Sequence, residues 1–454
     1  MAHDRVLIIT YIFPPSGGVG VPRFVAYTRY LPLHNCEPFV LTARNPATPA
    51  YDLDLAKKVP PETKVFRAFN PEIPYAVRDR FWKKIIAKEP AAYAEGAGAA
   101  KGTGLKSLAR RAIQRIFCPD VQVIWVPFAI RAARRIIAKH RITTVILNLP
   151  PYSCLNIGVA VKRHFPNVKL ILDFRDEWID NYFDQFDSAA SDYKLRLAQK
   201  LERSAVECAD LVTAVTRSQL GQIRKRYPQQ PDSKFIYAPN GFDPGLYANF
   251  KPRRAPDGKV IVTYFGTVYA NPTYRPIVNY LDVADQLPDH LRSRLETRFI
   301  GRVAREAASF FDSRRHTIRQ FGFMSKEAAM PYLEETGYNL IVTANPTTHG
   351  GKLFDYLGAG KPILALGPVE GELGQVVRET RMGWCVNPDD LPAIRALLLS
   401  AFERLDSGDT EWSPDWEAIS QYQWPNLVAR FVKLTGLGQP EPQQSEPHQS
   451  DPRP

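Results

Sequence analysis

Short apolar runs bounded by turn-forming residues alternate with stretches of helical period along this chain, and the series starts twice. Such alternation marks parallel βαβ units, in which a strand buried on both faces is followed by a helix that carries the chain back. In the first half the predicted strands are Arg5–Thr10, Glu37–Leu41, Thr144–Leu147, Lys169–Asp173, Leu211–Ala214 and Lys234–Ala238. The second series comprises Val260–Phe265, Glu296–Ile300, Thr317–Phe321, Tyr338–Thr343, Pro362–Leu366 and a short run near Trp384–Val386. Between them, Pro239-Asn240-Gly241-Phe242-Asp243-Pro244 and the basic stretch Lys251–Gly258 collect turn formers, which predicts a domain boundary near residues 245–258. A chain of 454 residues is also too long for one ordinary core. The expected fold is therefore α/β, with doubly wound domains over 1–248 and 256–423. A helix over 424–437 would pack back on the first domain, and a Pro/Gln/Ser-rich tail over 438–454 would be disordered.

Composition narrows the setting. Five cysteines are scattered without a CxxC pair, which suits a reducing compartment and argues against a disulfide framework or a thiolate zinc site. No stretch reaches the roughly 18 apolar residues of a membrane helix, and Val6–Thr10 is too short for a signal segment. The expected location is cytoplasmic, with peripheral attachment to the inner face of the plasma membrane as an option. A net charge of +12 calls for an anionic partner. Within residues 101–139, nine Lys and Arg stand against Asp120 alone. Leu105, Leu108, Ile113, Ile116 and Phe117 share one helical face there, so residues 101–117 read either as a helix on an anionic membrane or as a solvated amphipathic helix. Ala87–Gly104, rich in Ala and Gly, reads as a loop. No aromatic-interleaved basic module appears, so nucleic acid is not an expected partner. Asp52-Leu-Asp54 reads as a solvated charge pair, and no metal site is expected.

Two glycine-rich turns carry the chemistry. Tyr11-Ile-Phe-Pro-Pro-Ser-Gly-Gly-Val-Gly20 follows the first strand and precedes a helix. Gly17, Gly18 and Gly20 would let backbone amides approach an anion at that helix N-terminus, or the segment is an ordinary tight βα turn. The turn lacks the GxGxxG dinucleotide fingerprint, which disfavours a nicotinamide enzyme. The second turn, Thr343–Gly351, leads into Lys352-Leu-Phe-Asp355. Amides of Gly350 and Gly351 would cradle a diphosphate beside the Lys352 ammonium, and Asp355, one helical turn deeper, could accept from ribose hydroxyls. On residue types alone, Lys352 and Asp355 could equally form a solvated pair. Asp173, Arg175 and Asp176 fit either a structural Asp–Arg–Asp network or direct substrate contact.

These segments together resemble family 4 glycosyltransferases. The Phe-Pro-Pro-Ser-Gly-Gly-Val-Gly loop resembles that family's N-terminal glycine loop. Asp173-Phe-Arg-Asp-Glu-Trp178 and Gly351-Lys-Leu-Phe-Asp-Tyr-Leu-Gly-Ala-Gly-Lys-Pro-Ile363 resemble segments of a bacterial envelope-polysaccharide branch. Ala209–Thr216, Pro239–Asp243 and Tyr264–Thr267 add to the match, in the same order along the chain. The resemblance implies a GT-B fold, two Rossmann-like domains facing across a cleft. It also implies a nucleotide diphosphate-sugar held mainly by the second domain, with a glycan or lipid-linked acceptor on the first. Sugar would pass to an envelope or extracellular polysaccharide with retention and without a cofactor. Lys352 and Arg275 would neutralise the leaving diphosphate, while Tyr152 and Ser153 would touch sugar. The family's paired glutamates fall on Thr347 and Asp355, so the first carboxylate is missing. That departure keeps open a nucleotide-sugar epimerase of the same fold, or a relative that binds nucleotide or glycan without turnover.

Overall fold

The computed structural model describes residues 4–18, 20–46, 51–72, 118–179, 192–253, 258–268, 274–311, 313–408 and 412–438. The segments expected to form the 87–104 loop and the 101–117 helix lie outside the described residues, as does the tail beyond Gly438.

Two wholly parallel sheets organise the chain. The first contains β1 (Asp4–Ile9), β2 (Cys36–Ala43), β3 (Lys64–Ala68), β4 (Thr144–Leu149), β5 (Lys169–Phe174), β6 (Leu211–Ala214) and β7 (Phe235–Tyr237), in the order β3-β2-β1-β4-β5-β6-β7. The second contains β8 (Val260–Phe265), β9 (Leu295–Ile300), β10 (Thr317–Gly322), β11 (Tyr338–Val342), β12 (Ile363–Leu366) and β13 (Gly383–Val386), in the order β10-β9-β8-β11-β12-β13. Central strands such as β1 and β4 are buried on both faces, which is why they read as unbroken apolar runs. Strand β3 departs from the sequence reading, which held no strand there. It is an edge strand whose Lys64-Val-Phe-Arg-Ala68 buries little, so it carries no continuous apolar signal.

Each sheet has one point where the winding direction reverses, between β1 and β4 and between β8 and β11. Crevices at such points lie beyond the carboxyl ends of the strands and are the ordinary ligand sites of open parallel sheets. The chain passes between domains twice, after β7 and again before the helix Trp424–Thr435. The two passages pair, with Phe242 N donating to Tyr422 O at 3.0 Å and Trp424 N donating to Phe242 O at 3.0 Å. Gly241 is required there, because a Cβ would sit 2.3 Å from Tyr422 O. The last helix buries Leu427, Val428 and Phe431 against Phe24 and Tyr27 of the first domain.

Candidate functional site

A cleft of about 790 Å³ opens between the domains, lined from both sides by loops that follow β1, β4, β5, β6 and β11. On the first-domain wall, Arg175 is the cation. Its Nε donates to Asn148 Oδ1 at 2.7 Å, and Asn148 Nδ2 donates to Thr10 Oγ1 at 2.8 Å. That relay lays the guanidinium over Gly20, where any Cβ would fall 1.6 Å from Arg175 Nη1. Glycine at position 20 thus makes room for a cation as well as for a tight turn. Gly18 and Gly20 line the cleft, whereas Gly17 is buried behind the loop.

Asp173 is a correction. Its carboxylate is fully buried and pairs with Arg23 at 2.8 Å and 3.0 Å, while Thr213 Oγ1 donates to it at 2.7 Å. Arg23 lies in the helix Val21–Tyr30, directly after the glycine loop, and also donates to Pro239 O at 2.8 Å. Asp173 therefore anchors the loop and the interdomain passage, the structural one of the two roles open to it, and does not line the cleft. Ser153 is a second correction. It is wholly buried, with its hydroxyl donating to Asp120 Oδ1 at 2.6 Å and its amide to Asp120 Oδ2 at 2.9 Å. Tyr152 does line the cleft, stacked flat on Trp178 with ring centroids 4.4 Å apart. Its hydroxyl donates to the carbonyls of Asp176 and Glu177. Asp176 lines the same wall with an exposed side chain. Asp120, which the sequence offered only as a lone acid, lines it too, and burial pushes its carboxyl above the usual range.

On the second-domain wall, Thr343, Asn345, Thr347, Thr348, His349, Gly350 and Gly351 face the cleft. Gly350 holds φ at +70°, which favours glycine. Thr347 stands where the resemblance places a carboxylate. Its amide and hydroxyl both donate to Asn345 Oδ1, at 2.9 Å and 2.6 Å, so the loop is held by an Asx turn. His349 was not singled out from sequence. It is buried against Phe354 and the carbonyl of Gly350, and burial lowers its pKa, keeping the imidazole neutral.

Lys352 opens the helix Lys352–Ala359 directly after the glycine turn, and like Asp355 it is not among the residues that line the cleft. Its ammonium contacts the Tyr264 hydroxyl and lies 3.7 Å from that ring's centroid. A Cβ on Gly266 would be 3.1 Å from Lys352 Nζ, and one on Gly301 would be 2.1 Å from Gly266 O. Both glycines have φ near +140° to +146°, so the ends of β8 and β9 close under Lys352 only because side chains are absent. No carboxylate of the described residues pairs with Lys352, and burial pulls its pKa down from 10.5 to about 7. A buried amine without a counter-charge is suited to an incoming anion.

Asp355 does not line the cleft. It accepts from Lys326 Nζ at 2.6 Å and from Tyr247 OH at 3.2 Å. Arg275 is not part of the constellation either, being 81% exposed and 3.5 Å from Asp389. Asp52 caps the helix Leu53–Lys57 through Leu55 N at 2.8 Å, and Asp54 pairs with Lys57 at 2.8 Å, which gives both carboxylates local structural roles. Between the domains, Glu372 Oε1 accepts from Ser218 N at 2.6 Å and Arg217 pairs with Glu379 at 3.3 Å.

Two doubly wound sheets facing across such a cleft define the GT-B architecture. The solved structures similar to this chain include a sucrose-phosphate synthase from Thermosynechococcus elongatus (13% identity over 96% of this chain and 98% of that one, TM-score 0.60). HepE from Anabaena, in complex with UDP and glucose, shares 14% identity over 96% of this chain and all of its own, with a TM-score of 0.58. WaaG, a glycosyltransferase involved in lipopolysaccharide biosynthesis, shares 12% identity over 95% of this chain and all of its own, with a TM-score of 0.56. No protein-family model matches the chain, and no curated protein matches it by sequence.

Proposed function

We propose that this protein is a nucleotide-sugar-dependent glycosyltransferase that extends an envelope or extracellular glycan, free or lipid-linked, with retention of anomeric configuration. One observation carries the reading. The uncompensated amine of Lys352, set against Gly266 and Tyr264 behind the Gly350–Gly351 turn that lines the cleft, would seat a diphosphate at the reversal point of the second sheet. Arg175 over Gly20 supplies a second cation from the opposite wall. Both would stabilise negative charge on the departing diphosphate, the part of glycosyl transfer where preorganised electrostatics contribute most. Likeness to HepE, solved with UDP and glucose and with UDP-glucose, and to a lipopolysaccharide glycosyltransferase supports the donor and acceptor classes. Retention and the envelope pathway rest on the sequence resemblance.

The cations that take this role are side chains, and no group of three or more metal-ligating residues occurs among the described residues. Release of nucleoside diphosphate from a panel of nucleotide sugars, as the sugar passes to a supplied glycan acceptor or to water, is therefore expected to proceed in EDTA. Failure to release any diphosphate would refute the reading. Activity that vanishes in chelator and returns with magnesium or manganese would refute its metal-free form.

A further inference from the structure

The outer face of the helix Val126–His140 supports an inference independent of the donor site. This helix contains no acidic residue. Ala129, Ala133, Ile136 and Ile137 turn inward, while Arg131, Arg134, Arg135 and Lys139 are exposed. No carboxylate of the described residues pairs with any of these four. Glu37, the carboxylate that acts on His140 at the helix's far end, is engaged by Arg5 and Lys64. At about 1.5 Å rise per residue, the four cations fall within roughly 12 Å of helix.

The cleft end of the same face is apolar. Phe128 is 39% exposed and meets Phe69, 53% exposed, edge to face at 5.0 Å, and Val121, which starts the turn leading into the helix, is 45% exposed. Val121 lies between Asp120 and Gln122, both of which line the cleft. Unpaired cations behind an exposed aromatic tip match a surface that rests on anionic lipid, with the rings inserted shallowly and the charges at headgroup level. Nucleic acid fits less well, because the aromatics are gathered at one end and not interleaved among the cations.

We propose that this face docks on an anionic bilayer and thereby holds the mouth of the cleft at the membrane surface. Among the described residues no helix is long and apolar enough to cross a membrane, so the contact is peripheral. The full chain should co-sediment with vesicles of phosphatidylcholine mixed with phosphatidylglycerol, but not with phosphatidylcholine alone, and salt should release it. Each cation near the surface is worth about fivefold in partition, so combining Arg131→Glu, Arg135→Glu and Lys139→Glu should lower partition about a hundredfold or more. Phe69→Ser with Phe128→Ser should weaken it further, and circular dichroism should show every variant folded. Lys352→Ala should leave partition unchanged, so the result stands apart from the fate of the donor site. Absence of binding, equal binding to both vesicles, or tighter binding to a DNA duplex would overturn the proposal. Unchanged partition in the charge-reversed variant would also overturn it, by moving the contact to another basic segment.

Discussion

Lys352→Ala is expected to lower turnover of the nucleotide sugar by about 10²–10³-fold, the usual cost of losing one preorganised group that stabilises developing negative charge. Donor affinity should fall about tenfold to a hundredfold as well, because a hydrogen bond to a charged group is worth roughly 1.5–3 kcal/mol. The pH dependence has a definite sign. Burial holds the Lys352 amine at about 7 in the empty protein, so above that pH the site is largely neutral. A diphosphate favours the ammonium and raises this pKa. Binding at about pH 8 should therefore take up close to one proton, and affinity should decline from about pH 7 up to the bound value and level off above it. Calorimetry in buffers of different ionisation enthalpy measures that uptake directly. The alanine variant should show none.

Asp173→Ala should strongly destabilise the first domain. It leaves Arg23, 1% exposed, without its counter-charge, and breaking a buried pair from one side costs about 3–5 kcal/mol. For a domain of this size the unfolding midpoint should drop by roughly 10 °C. Arg217→Ala, which breaks a pair whose partners are 43% and 45% exposed, should change stability by no more than about 1 kcal/mol. Thermal unfolding of the two variants checks the contrast. Equal midpoints would remove the anchoring role assigned to Asp173.

These two positions also show where sequence stops being informative. The fold was legible because strands such as β1, β4 and β8 are buried on both faces and interrupted by Gly- and Pro-containing turns. Among the described residues, the one strand that escaped was β3, half-buried at an edge. The glycine turns were legible for the same local reason, since a tight turn and a helix start leave residue-level signs. Which side chains meet across those turns was not. Asp173 and Arg175 are two positions apart, yet Asp173 pairs with Arg23, 150 positions away, and Arg175 bonds Asn148 from the neighbouring strand. Ser153 looked like a sugar contact until Asp120 folded over it. Asp120 and His349 had no motif to mark them, and their place on the cleft follows from tertiary packing alone. Arg275 stood near the right turn in sequence, but its helix faces away toward Asp389.

The central claim is that the crevice over Lys352 receives the diphosphate of a nucleotide sugar. Titration calorimetry of the full chain with UDP, dTDP, GDP and ADP, and with the corresponding sugars, tests it most directly. At least one diphosphate should bind, its monophosphate should bind more weakly, and Lys352→Ala should lose most of the difference. Failure of every diphosphate to bind, or full affinity in a folded Lys352→Ala protein, would contradict it.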